Sequence, residues 1–177
     1  MKTLETERLI LRTWRLEDLD DMYEYAKSPH VGPRAGWEPH GSKEMSLEIL
    51  NSFIAEDDVW AIVWKENGKV IGSLGLHVDT RRQGIQAKAM GYVLSADYWG
   101  RGIATEAAKC AMQYAFAETD IDILTIFHYP QNLASKRVIE KCGFQYEGTL
   151  RHASKLYDGQ IVDTLCYSIL RSEYCSG

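Results

Sequence analysis

Apolar side chains recur with a period of two in some segments of the chain and with a helical period in others. Residues 8–13 alternate, with Leu9 and Leu11 on one side, which predicts a half-buried strand. Leu19, Met22 and Ala26 share one face of a predicted helix over residues 18–26. The same reading predicts seven strands and four helices in all. The remaining strands are residues 60–64, 70–76, 89–94, 123–129, 144–157 and 160–170, and the remaining helices are residues 42–55, 103–115 and 132–141.

The connections between these elements predict the sheet. Asn67-Gly68 and Asp158-Gly159 each separate two strand patterns, which is typical of a β-hairpin. Residues 28–41, rich in Pro and Gly, are predicted to form a loop. The fourth and fifth strands are joined by a helix and should run parallel, whereas most other neighbours should be antiparallel. We therefore predict an α+β (α/β) fold with a mixed, mostly antiparallel central sheet and helices on both faces, not a doubly wound Rossmann sheet.

Composition narrows the class of protein. The chain has 177 residues, which corresponds to one domain over residues 1–177. Hydrophobic residues make up 45% and charged residues 25%, values typical of a soluble globular protein. The net charge of -5 argues against a nucleic-acid partner. No signal peptide begins the chain and no apolar run approaches the ~18 residues of a membrane span, so we expect a cytoplasmic protein with no membrane partner.

The four cysteines show no spacing of a metal site. We expect four reduced thiols, most of them buried, and no metal.

The chemistry is concentrated in residues 91–106, where a strand leads through a short loop into a helix. Gly100 and Gly102 lie in that loop. Free N–H groups and the dipole at a helix start attract anions, and glycines let the backbone approach closely. The Gly-Lys-Ser/Thr ending of a P-loop and the third glycine of the dinucleotide fingerprint are both missing. These glycines alone favour a phosphate cradle and a simple tight turn equally.

Residues 98–107 read Tyr-Trp-Gly-Arg-Gly-Ile-Ala-Thr-Glu-Ala. This block resembles the acetyl-CoA pyrophosphate loop of the GCN5-related N-acetyltransferase (GNAT) family, above all its ribosomal-protein N-terminal acetyltransferase branch. Residues 132–144 and 5–12 resemble two further blocks of the family, and the three stand in the family's order. The resemblance covers about residue 5 to residue 174. It implies the GNAT fold, in which the parallel fourth and fifth strands splay apart around acetyl-CoA, a co-substrate.

The resemblance also implies which residues bind the cofactor. N–H groups from about Arg101 to Thr105 would hold the pyrophosphate, and the main chain of Val93 and Leu94 would bind the pantetheine amides. The Leu94 N–H would also lie near the acetyl carbonyl as an oxyanion-type donor. The implied cofactor-binding set is Val93, Leu94, Trp99, Gly100, Arg101, Gly102, Ile103, Ala104, Thr105, Asn132 and Lys136.

Two residues at the start of the last helix are the candidate catalytic residues. Asn132 would cap that helix whatever the function, and by resemblance its side chain also contacts the cofactor near the thioester. Ser135 either satisfies backbone groups in the first turn or, by resemblance, protonates the leaving thiolate. Ala89 occupies the position at which many relatives carry a glutamate, so no base stands at the usual place. Candidate bases elsewhere are His77, His128, Glu38, His40 and Glu147, with none preferred.

The resemblance implies that residues 31–40 line the acceptor pocket, with Trp37, Glu38 and His40 as substrate-binding residues. Packing of Trp37 in a core under the loop is an equally open interpretation. The activity implied is transfer of acetyl to a primary amine by direct attack in a ternary complex, with a protein N-terminal α-amine as one acceptor. A small amine such as a polyamine or an aminoglycoside is an alternative acceptor. A non-catalytic acyl-CoA-binding module is the alternative of another class, and a monomer and a homodimer remain equally open.

Overall fold

The computed structural model describes residues 1–175 and shows an eight-stranded sheet in the order β1-β2-β3-β4-β5-β6-β8-β7. The strands are β1 (Leu4–Glu5), β2 (Leu9–Arg12), β3 (Val59–Trp64), β4 (Val70–Val78), β5 (Ala87–Leu94), β6 (Ile123–His128), β7 (Gln145–Lys155) and β8 (Ile161–Leu170). The helices are α1 (Leu19–Ala26), α2 (Gly32–Ala35), α3 (Lys43–Glu56), α4 (Ile103–Glu118), α5 (Leu133–Lys141) and α6 (Arg171–Cys175).

The middle of the sheet is covered by helices on both faces. All six residues of β3 are buried, because alternate side chains enter two different cores. Trp60 and Ile62 join the core that contains α4 and α5, whereas Val59 and Ala61 join the core that contains α1 and α3. The predicted arrangement of helices on both faces is confirmed.

The parallel pair in the centre of the sheet separates partway along its length. β5 pairs with β6 at Ala87↔Ile123, Lys88↔Leu124 and Ala89↔Thr125. The remaining five residues of β5, up to Leu94, continue without β6 beside them. This is the predicted splay, and it leaves one backbone edge of β5 without a strand partner beyond Ala89.

The long hairpin at the end of the chain inserts its second strand into the sheet. β8 pairs antiparallel with β6 on one side and with β7 on the other. β7 therefore forms the edge, and most of its residues are exposed.

The segment predicted as a loop at residues 28–41 contains a short helix, so that prediction is wrong in part. Pro33 lies in the first turn of α2, where its fixed φ suits a helix and its missing N–H costs no hydrogen bond. Gly36, at φ 91°, ends the helix in the left-handed conformation. Both residues are loop formers in general, but at the two ends of a helix they act as start and stop signals. The predictions also missed β1 and α6, which are too short to show a period.

The cysteines are all free thiols, but only Cys142 is buried. The prediction that most of them are buried is therefore wrong. Burial raises the pKa of Cys142 to about 11. Within residues 1–175, no helix is long and apolar enough to cross a membrane.

Candidate active site

A cavity of about 470 Å³ occupies the gap between the diverging ends of β5 and β6. Tyr92 and Val93 both line it. Because successive side chains of a strand point to opposite faces, a cavity lined by both passes through the sheet. It therefore connects the face that carries α4 and α5 with the face that carries α1 and α3.

The first turn of α4 forms one wall of the cavity. Gly102, the residue before α4, has φ 77°, and no side chain of the described residues caps the helix. The N–H groups of Ile103, Ala104 and Thr105 have no partner inside the helix by its geometry, and all three residues line the cavity. Uncapped N–H groups, the helix dipole and a preceding glycine together form an anion cradle.

Most of the residues predicted to bind cofactor come together at this cavity. Nine of the eleven predicted cofactor-binding residues line it, together with the candidate catalytic Ser135: Val93, Leu94, Trp99, Gly100, Gly102, Ile103, Ala104, Thr105 and Asn132. The other two predicted cofactor-binding residues do not. The guanidinium of Arg101 lies over the rings of Trp64 and Tyr98, at 5.0 and 5.4 Å from their centroids. The ammonium of Lys136 is 3.7 Å from Glu140.

The first turn of α5 forms the facing wall. Asn132 caps α5, since its Oδ1 accepts a hydrogen bond from the Ser135 N–H at 3.1 Å. Its Nδ2 donates to the carbonyl oxygen of Arg34 at 3.0 Å, which ties α2 to this wall. A role as helix cap and a role at the cofactor are compatible for Asn132. Its side-chain oxygen caps α5, and the same residue lines the cavity.

Ser135 is held in the cavity by a tyrosine from β5. The Tyr92 hydroxyl and Ser135 Oγ are 2.9 Å apart. Burial raises the pKa of Tyr92 well above its usual range, against a smaller opposing effect of the Ser135 hydrogen bond. The phenol therefore stays protonated at neutral pH. A proton can pass between the Tyr92 hydroxyl and Ser135 Oγ along their hydrogen bond.

Other residues that line the cavity were not singled out from the sequence, among them Tyr92, Arg137 and Lys141, whereas Arg34 lies in the segment 31–40 that was predicted to line the acceptor pocket. The spacing of Arg137 and Lys141 places them on one helix face and could have identified them. The Arg34 guanidinium lies over the Trp99 ring at 4.3 Å, a contact across 65 residues that no local pattern reveals.

The residues predicted to bind acceptor lie beside the cavity and do not line it. Trp37 packs against Gly32 and the α1/α3 core, with its ring 5.2 Å from that of His40. His40 is buried, its Nδ1 is 2.7 Å from Ser46 Oγ, and burial lowers its pKa. Glu38 is exposed. From the same segment, Val31, Arg34 and Ala35 line the cavity instead.

The remaining candidate bases differ in their surroundings. His128 is buried, with Nδ1 2.8 Å from the Tyr129 carbonyl and Nε2 3.2 Å from the Tyr167 hydroxyl. Glu147 pairs with Arg82 at 2.5 Å and accepts a hydrogen bond from Ser168. His77 is half exposed, and its Nδ1 is 2.6 Å from Oδ2 of Asp58.

The N-terminal block of residues 5–12 supports α4 from outside the cavity. Glu106, in the first turn of α4, accepts hydrogen bonds from Thr6 Oγ1 at 2.5 Å and from the Arg8 backbone at 3.0 Å. Arg8 also binds this carboxylate through its guanidinium at 2.6 Å and donates to the Arg101 carbonyl. The block therefore fixes the loop and the helix start that form the anion cradle.

Comparison with known proteins agrees with this geometry. The family model described as "Acetyltransferase (GNAT) domain" matches residues 8–145. The chain is 30% identical over 179 residues to the uncharacterized N-acetyltransferase p20 of Bacillus licheniformis, covering 98% of this chain and 99% of the relative.

Solved structures share the fold. A GNAT-family acetyltransferase from Bacillus anthracis aligns with a TM-score of 0.87 at 23% identity, covering 97% of this chain and 100% of that one. The ribosomal-protein-S5-alanine acetyltransferase of Vibrio fischeri aligns with a TM-score of 0.79 at 22% identity, covering 98% and 99%. Spermidine N-acetyltransferase of Vibrio cholerae, in complex with CoA and spermine, aligns with a TM-score of 0.80 at 20% identity, covering 96% and 99%.

The splayed parallel pair, the glycine-flanked helix start and the three sequence blocks are thus explained together. The chain belongs to the GNAT family of acetyltransferases and is an N-acetyltransferase.

Proposed function

We propose that this chain transfers the acetyl group of acetyl-CoA directly to a primary amine, with a protein N-terminal α-amine as the favoured acceptor. The observation that carries the proposal is the cavity through the sheet between β5 and β6, with an uncapped helix start on one wall and Ser135 on the other. A cofactor bound on one face can then meet an acceptor that arrives from the opposite face.

Acetyl-CoA is held in this proposal by backbone more than by surface charge. Its pyrophosphate lies against the N–H groups at the start of α4, and its pantetheine arm lies along the free edge of β5 beyond Ala89. Arg137 and Lys141 add two cations on the cavity side of α5. This local arrangement suits a chain whose net charge is -5.

The chemistry needs a neutral amine, an aligned thioester and a stabilised leaving thiolate. Alignment alone can contribute about 7–11 kcal/mol to the reduction of the barrier. In the proposed complex the Leu94 N–H donates to the acetyl carbonyl, as an oxyanion hole does. Ser135 protonates the departing thiolate, and the Tyr92 hydroxyl 2.9 Å away restores its proton.

The acceptor approaches across small residues on the α1/α3 face of the sheet. We call these residues the acceptor trough: Gly75 on β4 with Ala89 and Gly91 on β5, which form neighbouring positions in the register. Three acidic side chains near the trough already have partners. Asp58 contacts His77, and Arg82 contacts both Asp79 and Glu147.

This pairing favours a peptide N-terminus over a polyamine, because a polycation needs carboxylates that are free to bind it. The Vibrio fischeri neighbour is named for ribosomal protein S5 alanine, and the Vibrio cholerae neighbour for spermidine. Both acceptor classes therefore belong in the test. A cytoplasmic location and a single domain over residues 1–177 remain part of the proposal, and the number of subunits stays open.

A thiol-release assay with acetyl-CoA tests the function on peptides that begin with Ala or Ser, on spermidine and on an aminoglycoside. We expect turnover with peptides and little with spermidine. Ser135→Ala should lower kcat, whereas Ser52→Ala, an exposed helix serine on α3, should not. Tight binding of acetyl-CoA without turnover on any amine would instead identify a non-catalytic acyl-CoA-binding module.

A further inference from the structure

We propose that His77, oriented by Asp58, is the base that takes the proton from the acceptor amine. The proposal rests on the function proposed above and adds the residue that makes the amine nucleophilic.

The imidazole has a defined tautomer because of its partner. Nδ1 of His77 is 2.6 Å from Oδ2 of Asp58, which lies just before β3. An ionised carboxylate can only accept, so Nδ1 carries the hydrogen and Nε2 carries the lone pair. Among the described residues the other oxygen, Oδ1 of Asp58, is buried and has no hydrogen-bond partner. The Asp58 carboxylate thus depends on His77, and its charge stabilises the imidazolium that forms when Nε2 takes a proton.

Nε2 projects over the acceptor trough. A Cβ built on Gly75 would lie only 2.5 Å from His77 Nε2, so the ring lies over the space that a side chain would occupy. Directly opposite His77 on β5 is Ala89, and directly opposite Gly75 is Gly91. A Cβ on Gly91 would meet no atom within 4 Å. Nε2 therefore lies over the buried Gly75, beside the exposed Gly91, and the His77 side chain is itself 48% exposed.

This surface leads from His77 to the cavity. Gly91 is two residues from Val93, which lines the cavity on the same face of β5. With strands ~4.8 Å apart and ~3.3 Å per residue, Gly75 and Val93 are about 8 Å apart. With the attacking nitrogen placed about 3 Å from a thioester carbon at this end of β5, we infer that water relays the proton from the nitrogen to His77.

The proton balance of the step is complete. The acceptor ammonium gives one proton through the water to His77 Nε2 and becomes a neutral amine. Its nitrogen attacks the acetyl carbon, the new C–N bond forms and the C–S bond breaks. The second proton leaves the nitrogen for water as the amide forms, and the thiolate of CoA takes up one proton from water through Tyr92 and Ser135. His77 then returns its proton to solvent, so one proton is released per turnover.

The surroundings of the other candidate bases do not suit this step. His40 and His128 are buried and bonded to protein groups, and Glu147 is paired with Arg82. The groups that face His77 are Asp58 from the start of β3 and the uncharged Ala89 from β5. Next along β4, Val78 is opposite Lys88, and Asp79 beyond it is held by Thr125 Oγ1 at 2.8 Å.

The test compares His77→Gln and Asp58→Asn with the control Lys69→Gln, which breaks the ion pair between Lys69 and Glu24 just before β4. Gln can still donate to Asp58 but cannot act as a base. Each variant is assayed for kcat, for KM of acetyl-CoA and for the dependence of kcat/KM on pH, using the acceptor that supports the fastest wild-type turnover. Acetyl-CoA binding by calorimetry shows that each variant is folded.

We expect His77→Gln to lower kcat about 100-fold, the lower end of general base effects, with unchanged affinity for acetyl-CoA. The acidic limb of the pH profile should disappear. Asp58→Asn should lower kcat less and move that limb, and Lys69→Gln should match the wild type. Added imidazole should restore part of the activity of His77→Ala.

Two results would overturn the proposal, and they are distinguishable. An active wild type whose His77→Gln variant retains kcat within about twofold and keeps the acidic limb removes His77 as the base and leaves the proposed function intact. A wild type that transfers acetyl to no amine removes both.

Discussion

Two helices begin at the same cavity, and their first turns are completed in opposite ways. α5 is capped by Asn132, whose Oδ1 accepts the Ser135 N–H at 3.1 Å. α4 starts after Gly102, and no side chain in residues 1–175 caps it. Each helix start leaves N–H groups that need partners. The start of α5 has a side-chain partner from the neighbouring Asn132, whereas the start of α4 leaves its N–H donors free at the cavity.

The difference suits the two walls to different tasks. The free donors of α4 are suited to an anion, which completes the helix start when it binds. The closed first turn of α5 instead holds Ser135 in one orientation, with Tyr92 at 2.9 Å as a second anchor. In the proposed mechanism, a glycine and an asparagine, each ordinary at a helix start, thus suit one wall to binding and the other to chemistry.

The largest effect should come from placing a charge in the α4 cradle. Gly102→Glu should weaken CoA binding by about 1,000-fold, because a carboxylate beside the pyrophosphate costs several kcal/mol. Gly102→Ala is the matched control, since it carries the same strain at φ 77° without the charge. Its Cβ would meet only Arg8 Nη2, at 3.7 Å. Calorimetric titration with CoA measures both, and equal loss in the two variants would assign the effect to backbone strain.

On the α5 wall the changes should affect turnover and spare binding. Ser135→Ala should lower kcat about 100-fold, as expected for loss of a general acid. Tyr92→Phe should lower it about 10-fold, because Ser135 keeps its hydroxyl but loses its partner. Steady-state kinetics measures the effect on turnover, and CoA titration measures the effect on binding. A rise in the Kd of CoA with unchanged kcat would show that Ser135 binds the cofactor and takes no part in proton transfer.

The support of α4 by the N-terminal block should appear in stability. Glu106→Gln should lower the free energy of unfolding by about 2 kcal/mol, since the hydrogen bonds to Thr6 and Arg8 lose their charge. Burial acts to raise the pKa of Glu106, but its bonds to Thr6 and Arg8 outweigh burial and lower it.

A lowered folded-state pKa makes the contribution of Glu106 depend on pH in one direction. The stabilisation is fully present above the unfolded-state pKa of about 4.3, and it is lost as the pH falls through the lower folded-state value. Urea unfolding at several pH values should therefore show a constant gap between wild type and Glu106→Gln above about pH 5. The gap should narrow on further acidification, and a gap that widens there would contradict the assignment.

The smallest effect should come from the cap of α5. Asn132→Ala should destabilise the protein by about 1 kcal/mol, whereas Asn132→Ser should retain most of the cap. Both variants lose the hydrogen bond from Nδ2 to the Arg34 carbonyl. A change in acceptor KM shared by the two variants would therefore report on the tie to α2. Equal stability of the two variants would show that the cap contributes nothing.

Local patterns predicted most of the elements, the Gly100 and Gly102 loop and the Asn132 cap, because each depends on neighbours in sequence. The splayed pair of strands and most of the cofactor wall were predicted by the resemblance to the GNAT family and not by any local pattern. Trp37 was harder, because a loop tryptophan can line a pocket or fill a core. Packing against Gly32 and the α1/α3 core was decided by contacts that no local pattern contains.

His77 illustrates the same limit. In the sequence it is one of several histidines at a strand end, and nothing marks its partner Asp58, which is 19 residues away. The antiparallel register places Gly75 beneath the ring and Gly91 beside it. Neither glycine signals a function by itself.

The amino-acid sequence by itself determined the order of the longer elements, the glycine-flanked start of α4 and the family, because these follow from periodicity, turn chemistry and contiguous motifs. The tertiary structure alone decided which side chains share the cavity. Arg101 and Lys136 lie in the motifs that resemble the family's cofactor-binding blocks, but their side chains contact Trp64 and Glu140 instead of lining the cavity. The cavity wall includes other polar side chains: Tyr92, Arg34, Arg137 and Lys141. The physical reason is that side-chain direction depends on register and packing between distant segments, which contiguous sequence does not encode.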